Sequence, residues 1–408
     1  MSGQPGEHIG QRLRSARRRR GLSLRALAEL CGLSPGFLSM VENGHRHLDR
    51  TGHITALAEA LRIAPAELTG QPFAPIGPRT DTAHEAVPAL RLTLMGLVPP
   101  SPGEPCPPRT LAARVREANR LYHAAEYGLL AGALPGLLTD LHATADAATG
   151  ADRPSSLRLL AAAYHPACAL LLKNLGYTDL AFIAVTRAAE AIAELDDPSH
   201  TALSGFFHAH VLLSAGSPDQ ALARAEQAAT DVEHDLSSPG AHALLGELHL
   251  IAATCLTQDV RRRGTDRARE VGEHLADAAA LAERTGETKA WHLNFGPTNV
   301  GIHRVSLNTD LGLHGRAVSA GDGVDPGVLR APGRQSAFHA DLGRSLARLH
   351  GRGSEAVAAL LAAERTAPQR VHAHHQVRST VTELLDRRLS SPTARELRGL
   401  AHRMGVLY

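Results

Sequence analysis

Six arginines, Arg12, Arg14, Arg17, Arg18, Arg19 and Arg20, fall within nine positions with no acid among them. Closely spaced guanidinium groups suit a partner that carries many phosphates. The excess is local: residues 1–70 carry a formal charge of +4 and the remainder −2. An anionic partner is therefore expected for the N-terminal part alone. A second set is polar and aromatic: Trp291, His292, Asn294, Asn299, His303, Arg304 and Asn308. If Pro297 starts a helix, Val300, Arg304 and Asn308 share one face, and Asn299 and His303 the next. Asparagines on the inner helices of a helical array can clamp a peptide backbone. Asn299, Arg304 and Asn308 are accordingly the candidate ligand contacts, with Lys173 and Asn174 as further ones. The competing reading of the same residues is packing between repeats.

Other chemistries are excluded. His208 with His210, and His372 with His374 and His375, invite a metal reading. Histidines at i and i+2 of a helix face apart, whereas a zinc pair wants i and i+4. No metal site is expected. The four cysteines form no CxxC pair and fit neither a zinc knuckle nor a disulfide framework. The one GxSxG string, Gly32-Leu33-Ser34-Pro35-Gly36, falls between two expected helices and not on a strand-to-helix turn, and there is no Walker A loop and no GxGxxG after a strand. Neither an enzyme nor a cofactor is expected. No apolar run approaches the ~18 residues of a membrane span. The N-terminus has no apolar signal region, so a cytoplasmic protein without membrane contact is expected. Of the 43 basic residues all but Lys173 and Lys289 are arginine, a compositional bias that discounts arguments from arginine counts.

The elements that must position these groups read as helices throughout, giving an all-α fold. Residues 8–69 predict five short ones. Ile9, Leu13 and Ala16 mark the inner face of the first, which Gly21 ends. Ser23 caps the second, with Leu24, Leu27 and Ala28 inward and Gly32 just past its end. Ser34 caps the third, with Pro35 in the first turn where its missing N–H costs nothing. Leu38 and Val41 point inward there, and Gly44 stops the helix. Ile54, Leu57, Ala58 and Leu61 mark a fourth, and Pro65 with Leu68 a last turn. Residues 71–109 predict a proline-rich linker with one short helix over 82–96. From 110 to 408 the pattern is helical, with an internal repeat of the form Gly-x4-Ala-x6-Ala. It occurs at Gly176, Ala181 and Ala188; at Gly216, Ala221 and Ala228; and at Gly351, Ala356 and Ala363, followed by Pro368. Gly312 and Ala317 match it in part, with Val324 in the last position. Alanines seven apart share a helix face and let neighbouring helices approach closely.

Residues 8–69 resemble the helix-turn-helix domain of the Cro/CI (XRE) family of bacterial repressors. The likeness rests on Leu13, Arg17, Gly21, Ser23, Leu27-Ala28, Gly32-Leu33-Ser34, Val41-Glu42-Asn43-Gly44 and Leu57-Ala58-x2-Leu61. Residues 110–408 resemble a tetratricopeptide-like helical solenoid. The combination is similar to actinomycete regulators that join these two parts, and to the peptide-sensing RRNPP regulators. Phe295-Gly296-Pro297-Thr298-Asn299-Val300 is similar to a stretch of the actinomycete group, and its chemistry assigns it no role. The first resemblance implies that the third helix enters the major groove of double-stranded DNA. Its base-reading positions then fall on Pro35, Gly36, Phe37 and Met40. Pro35 and Gly36 cannot hydrogen-bond a base edge through a side chain, while Phe37 and Met40 can meet thymine methyls. Ser23, Ser34, Ser39, Asn43 and Arg46, with Arg14 and Arg18, complete the candidate DNA contacts, and His45 and His47 offer alternatives. Arg17 and Glu42 occupy the positions of a structural salt bridge in that family.

These readings converge on a DNA-binding transcription regulator in three parts. Residues 1–70 bind DNA, 71–109 link, and 110–408 dimerise the protein or sense a peptide or small-molecule effector, or both. The alternative is a protein-interaction scaffold with a degenerate helix-turn-helix.

Overall fold

A computed structural model describes residues 9–73, 78–98, 106–234, 236–258 and 265–406. Pro75, Pro99, Pro100, Pro102 and Pro105 of the expected linker lie outside them. Among the described residues there is no strand, and the one β-bridge joins Thr288 to Phe295.

The N-terminal unit forms as expected. Its helices are α1 (Ile9–Arg19), α2 (Leu24–Cys31), α3 (Pro35–Glu42), α4 (Thr51–Leu61) and α5 (Pro65–Thr69). Ser23 Oγ accepts the Ala26 N–H and Ser34 Oγ the Phe37 N–H, both at 3.1 Å. Each serine thereby satisfies a donor that the first helical turn would otherwise leave unpaired. Leu13, Leu27, Leu38, Val41, Ile54, Leu57, Leu61 and Leu68 close a small core of their own.

The chain continues through α6 (Pro78–Glu85), α7 (Val87–Leu94), α8 (Pro108–His123), α9 (Tyr127–Ala147) and α10 (Asp152–Ala162). The one helix expected over 82–96 is thus two. Nor is this segment a free spacer: Ala83, Val87, Leu90 and Leu94 are buried in the same core as α8 and α9. A period-3.6 apolar stripe inside a proline-rich stretch is better used against a neighbouring helix than exposed.

After α10 a π-helical segment, Ala163–Leu170, leads into α11 (Leu171–Leu175) without a break. Pro166 sits inside that segment. A proline ring clashes with the carbonyl four residues back, and a wider turn relieves it. The joined helix Asp152–Leu175 is long and apolar enough to cross a membrane, a match that the sequence reading did not anticipate, but most of it is buried in this fold.

Helix pairs follow: α12 (Thr178–Ala193), α13 (Pro198–Ser214), α14 (Pro218–Glu233), α15 (Pro239–Gln258) and α16 (Thr265–Thr285). Beyond a short irregular turn come α17 (Pro297–Leu311), α18 (His314–Gly321), α19 (Pro332–Ala347) and α20 (Gly353–Thr366). The array ends with α21 (Pro368–His372), α22 (His375–Leu385) and α23 (Ser391–Met404). The repeat template is used literally. Gly176, Gly216, Gly312 and Gly351 are all left-handed, and Ala181, Ala188, Ala221, Ala228, Ala317, Ala356 and Ala363 are all buried. Helix α8 reaches α19, and α11 reaches α21, so the array curls until early and late helices touch.

The N-terminal unit sits on one rim of this array. Three of the repeat glycines form its seat: Gly176 lies under Gln71 and Pro72, Gly216 under Pro65, and Gly312 under the Arg50 guanidinium. A Cβ at any of them would press on the seated unit. Gln71 Nε2 donates to the Ala373 carbonyl at 2.8 Å, and Gln376 Nε2 to Thr51 Oγ1 at 2.5 Å. Arg378 lies over the Phe73 ring at 4.3 Å. The first residues of the expected linker are therefore pinned.

Candidate functional site

Two places in the molecule are equipped for recognition. The first is the outward side of α3. Its base is the pair Arg17–Glu42, in which Arg17 Nε and Nη2 donate to the two Glu42 carboxylate oxygens at 2.6 and 2.7 Å. Arg17 Nη1 also donates to the Leu22 carbonyl at 2.8 Å. The expected structural salt bridge thus ties α1 to α3, and its hydrogen bond to Glu42 holds the Arg17 pKa above the usual value.

Around that base the arginine run divides. Arg12 turns inward and donates to the carbonyls of Leu68 and Thr69, both at 2.9 Å, at the C-terminal end of α5. Arg18, Arg19 and Arg20 are exposed. Arg14 is half-exposed, donates to Asn43 Oδ1 at 3.2 Å and approaches Glu42 at 3.5 Å. On α3, Pro35, Gly36 and Met40 are exposed, as are Asn43, His45 and Arg46 beyond it. Ser39 is half-buried. Phe37 is half-buried too, with its ring edge-on to His53 and the Arg46 guanidinium 5.1 Å from its centroid. Ser23 and Ser34 are exposed, with their oxygens already accepting cap hydrogen bonds. The seat is built from Asp49 to Thr55 and Pro65 to Phe73, which Arg12 and Phe37 touch from within the unit, whereas Arg18, Arg19, Arg20, Pro35, Gly36 and Met40 are exposed.

The second place is a partly open cavity of about 110 Å³ where the array curls. Eight helices supply its polar lining. Tyr122 comes from α8, Tyr127 from α9, Lys173 and Asn174 from α11, and His210 from α13. Glu247 comes from α15, Asn299 and His303 from α17, Arg334 from α19 and Arg370 from α21. Asn299 is the hub: its amide donates to Glu247 Oε1 at 2.7 Å, and its carbonyl oxygen accepts from Arg334 Nη2 at 2.5 Å. Arg334 Nη2 also lies 3.1 Å from His303 Nδ1. Asn174 donates to the Tyr127 hydroxyl at 3.0 Å.

Burial governs the ionisation here. It pushes Lys173 down to about 7, with Arg370 and Arg334 adding repulsion. It pushes Glu247 up to about 7, against the opposing pull of Arg334 and Asn299. His303 falls to about 3 and His210 well below its ordinary value for the same first reason.

The segment Phe295–Val300 acquires a role. The Phe295 ring fills the space over Gly246, where a Cβ would collide with it. Gly296 has φ 153°, and Glu287 occupies the place of its missing Cβ. Glu287 Oε1 accepts the Thr298 N–H at 2.8 Å, an acceptor at the N-terminus of α17. The motif starts α17, the helix that carries Asn299 into the cavity. Just before it, Trp291 and His292 both adopt left-handed φ of 57°. Such strain in non-glycine residues is concentrated at functional sites.

Of the three expected ligand contacts only Asn299 lines the cavity. Arg304 is exposed, and Asn308 donates to the Arg304 carbonyl at 2.7 Å. Five and nine residues on, they have rotated onto the outer face of α17, and the expectation for them is corrected. Lys173 and Asn174 do line it, as do His292, Asn294 and His303 from the polar-aromatic set. Glu247, Arg334, Arg370, Tyr122 and Tyr127 were missed. They lie on separate helices, and no spacing signal joins them. Of the histidines in those clusters, His372 meets Glu364 at 3.0 Å and His208 the Ser204 carbonyl at 3.1 Å, while His374 Nδ1 and His375 Nε2 are buried without a hydrogen-bond partner.

Comparison with known proteins agrees with the first of these two places. Residues 8–69 match the helix-turn-helix domain family. No curated protein matches the chain. Among solved structures a similar chain is that of Bacillus thuringiensis PlcR in complex with the peptide PapR7 and DNA. It is 14% identical, with 68% of this chain and 95% of that chain covered and a TM-score of 0.30.

Proposed function

We propose that this protein is a non-enzymatic DNA-binding transcription regulator whose solenoid senses an effector and joins two copies. The observation that carries the reading is the orientation of the N-terminal unit. The outward side of α3, with Arg14, Arg18, Arg19 and Arg20 beside it, is open while the opposite side is seated on the array. A helix in that position enters a major groove, and the exposed arginines lie where phosphates flank it. One unit covers a short half-site, and Pro35 and Gly36 give it few base contacts. Pairing two units through the array supplies the second half-site. The effector, a peptide or a small molecule, acts from the cavity and biases how the unit is seated.

The test is selection of binding sites from random and genomic DNA by the purified full-length protein, with its mass measured by sedimentation. A selected sequence containing two half-sites about 34 Å apart, bound by a dimer, is the expected outcome. Enrichment of no sequence would defeat the regulator reading, and a monomer on a single half-site would defeat the dimer.

A further inference from the structure

The cavity holds more positive charge than its lining neutralises. Lys173, Arg334 and Arg370 converge on it against one carboxylate, Glu247. That carboxylate is already engaged by Asn299. Among the described residues half-buried Lys173 has no hydrogen bond or ion pair and its ammonium is open to solvent, while Arg334 Nε is buried with no partner. Half-buried cations that outnumber the carboxylates facing them offer a site to an anion.

Beside the cavity lies a larger, mostly apolar space of about 730 Å³. Ala162, Leu159, Leu203 and Trp291 line it, and Pro166, Phe207 and His292 border both spaces. His165 is 1% exposed, lines the larger space and stacks on Phe207 at 4.5 Å. Its Nε2 is buried with no hydrogen-bond partner. The π-helical turn carrying His165 and Pro166 and the strained pair Trp291–His292 form the boundary. An irregular turn and a strained one are the backbone features that recur at ligand sites.

We propose that the solenoid binds a monocarboxylate with an apolar body. The carboxylate pairs with Lys173, Arg334 and Arg370, and the body passes Phe207 and Pro166 into the larger space. The small volume at the cationic end and the nearby Glu247 disfavour a phosphate dianion. The contiguous apolar room would be wasted on a bare inorganic anion. A free organic acid and the C-terminus of an apolar peptide share this chemistry. The proposal specifies the effector assumed in the regulator reading. Binding is measured without DNA, so the two stand or fall separately.

Trp291 is the protein's one tryptophan and lines the apolar space, so its fluorescence reports occupancy. The full-length protein is titrated with decanoate and with decanol. It is titrated in parallel with the peptide Val-Leu-Ala-Phe as free acid and as C-terminal amide. At least one acid should alter the signal saturably, with its neutral counterpart about tenfold weaker or more. The acid that does so identifies the source. Lys173→Met, which removes the charge and keeps the length, should weaken that acid about 10–100-fold, the range for one charge-assisted hydrogen bond. Thermal unfolding checks that the variant is folded. Neutral counterparts binding as tightly as the acids, no saturation by either acid, or unchanged affinity in Lys173→Met would each overturn the proposal.

Discussion

The Asp49 carboxylate of the DNA-binding unit lies 2.7 Å from Nη2 of Arg348, the residue that follows α19. Arg344, one turn earlier, donates to the Asp49 carbonyl at 3.3 Å and is held by Asp310 and Asp341 at 3.1 and 2.7 Å. The same helix carries Arg334 into the cavity near its other end. At 1.5 Å per residue, the ten positions from Arg334 to Arg344 span about 15 Å. One rigid element therefore touches both the cavity and the seat of the N-terminal unit, as coupling between two sites requires.

Asp49→Asn should loosen the seat. Burial opposes ionisation of Asp49, but the charges of Arg348 and Arg344 outweigh it and hold its pKa below the ordinary carboxylate value. The ion pair therefore stabilises above pH 3.8, the unfolded value, and is lost as pH falls through the folded one. The expected loss near neutral pH is about 1.5–3 kcal/mol, the worth of a hydrogen bond to a charged group. Urea unfolding across pH checks it. A wild-type advantage that does not shrink as pH falls below 3.8 would contradict this role.

Glu42→Ala should cost more, about 3–5 kcal/mol, because it strands a nearly buried guanidinium. Glu42 is 4% exposed and accepts two hydrogen bonds from Arg17. Arg17→Ala with Glu42→Ala should cost much less than the two separate losses combined. Additive losses in a double-mutant cycle would mean that the pair is not a unit.

DNA affinity should fall steeply with salt. If a dimer meets roughly 6–10 phosphates, binding weakens about 10³–10⁵-fold between 50 and 200 mM salt. Arg18→Ala should weaken all sequences alike, whereas Arg12→Ala, which removes the bonds to Leu68 and Thr69, should act through stability. A salt-independent affinity would remove the exposed arginines from the interface.

The N-terminal unit was legible because its signals are local. Ser23, Ser34, Gly32 and Gly44 each fix a helix end within four residues, and the structure uses each as read. The repeat was legible for the same reason, since Gly-x4-Ala-x6-Ala is a two-helix contact written along one stretch of chain. The cavity was not. Lys173, Glu247, Arg334 and Arg370 meet only because the array curls, and curvature is the sum of small rotations that no single repeat records. Asn299 is legible because its motif is local, while Arg304 and Asn308 fall on the outer face because the curl that sets which face meets the cavity is not written in α17 itself. The seat was invisible too. Gly176, Gly216 and Gly312 read as turn residues, and nothing in their spacing shows that a second unit rests on them.

In the ligand-free protein the cavity should give the pH profile of stability an alkaline arm from Lys173 and an acid arm from Glu247, each read as the difference between a variant and wild type. Burial lowers Lys173 from 10.5 to about 7. Its stabilising contribution is therefore full above 10.5 and lost as pH falls toward 7. Burial raises Glu247 from 4.5 to about 7, so its contribution is full below 4.5 and lost as pH rises toward 7. Histidines whose pKa burial lowers also lose stability as pH falls through 6.5, so each variant is read as its difference from wild type. Arg334 and Arg370 stay charged, His210 and His303 are held neutral by burial, and burial raises the Tyr122 pKa. Lys173→Met should flatten the alkaline arm and raise the melting temperature most at and below pH 7. Glu247→Gln should flatten the acid arm. The same titrations change the cavity from one net positive charge at pH 8 (two guanidiniums less one carboxylate) to three at pH 6. Decanoate should therefore bind more tightly at pH 6 than at pH 8, with proton uptake detectable by calorimetry in buffers of different ionisation enthalpy. Melting curves of the two variants from pH 5 to 10 decide the matter. A Lys173→Met protein that melts lower than wild type at pH 7 would mean that Lys173 has a partner in the folded chain, and that the cavity has no charge left for a ligand to meet.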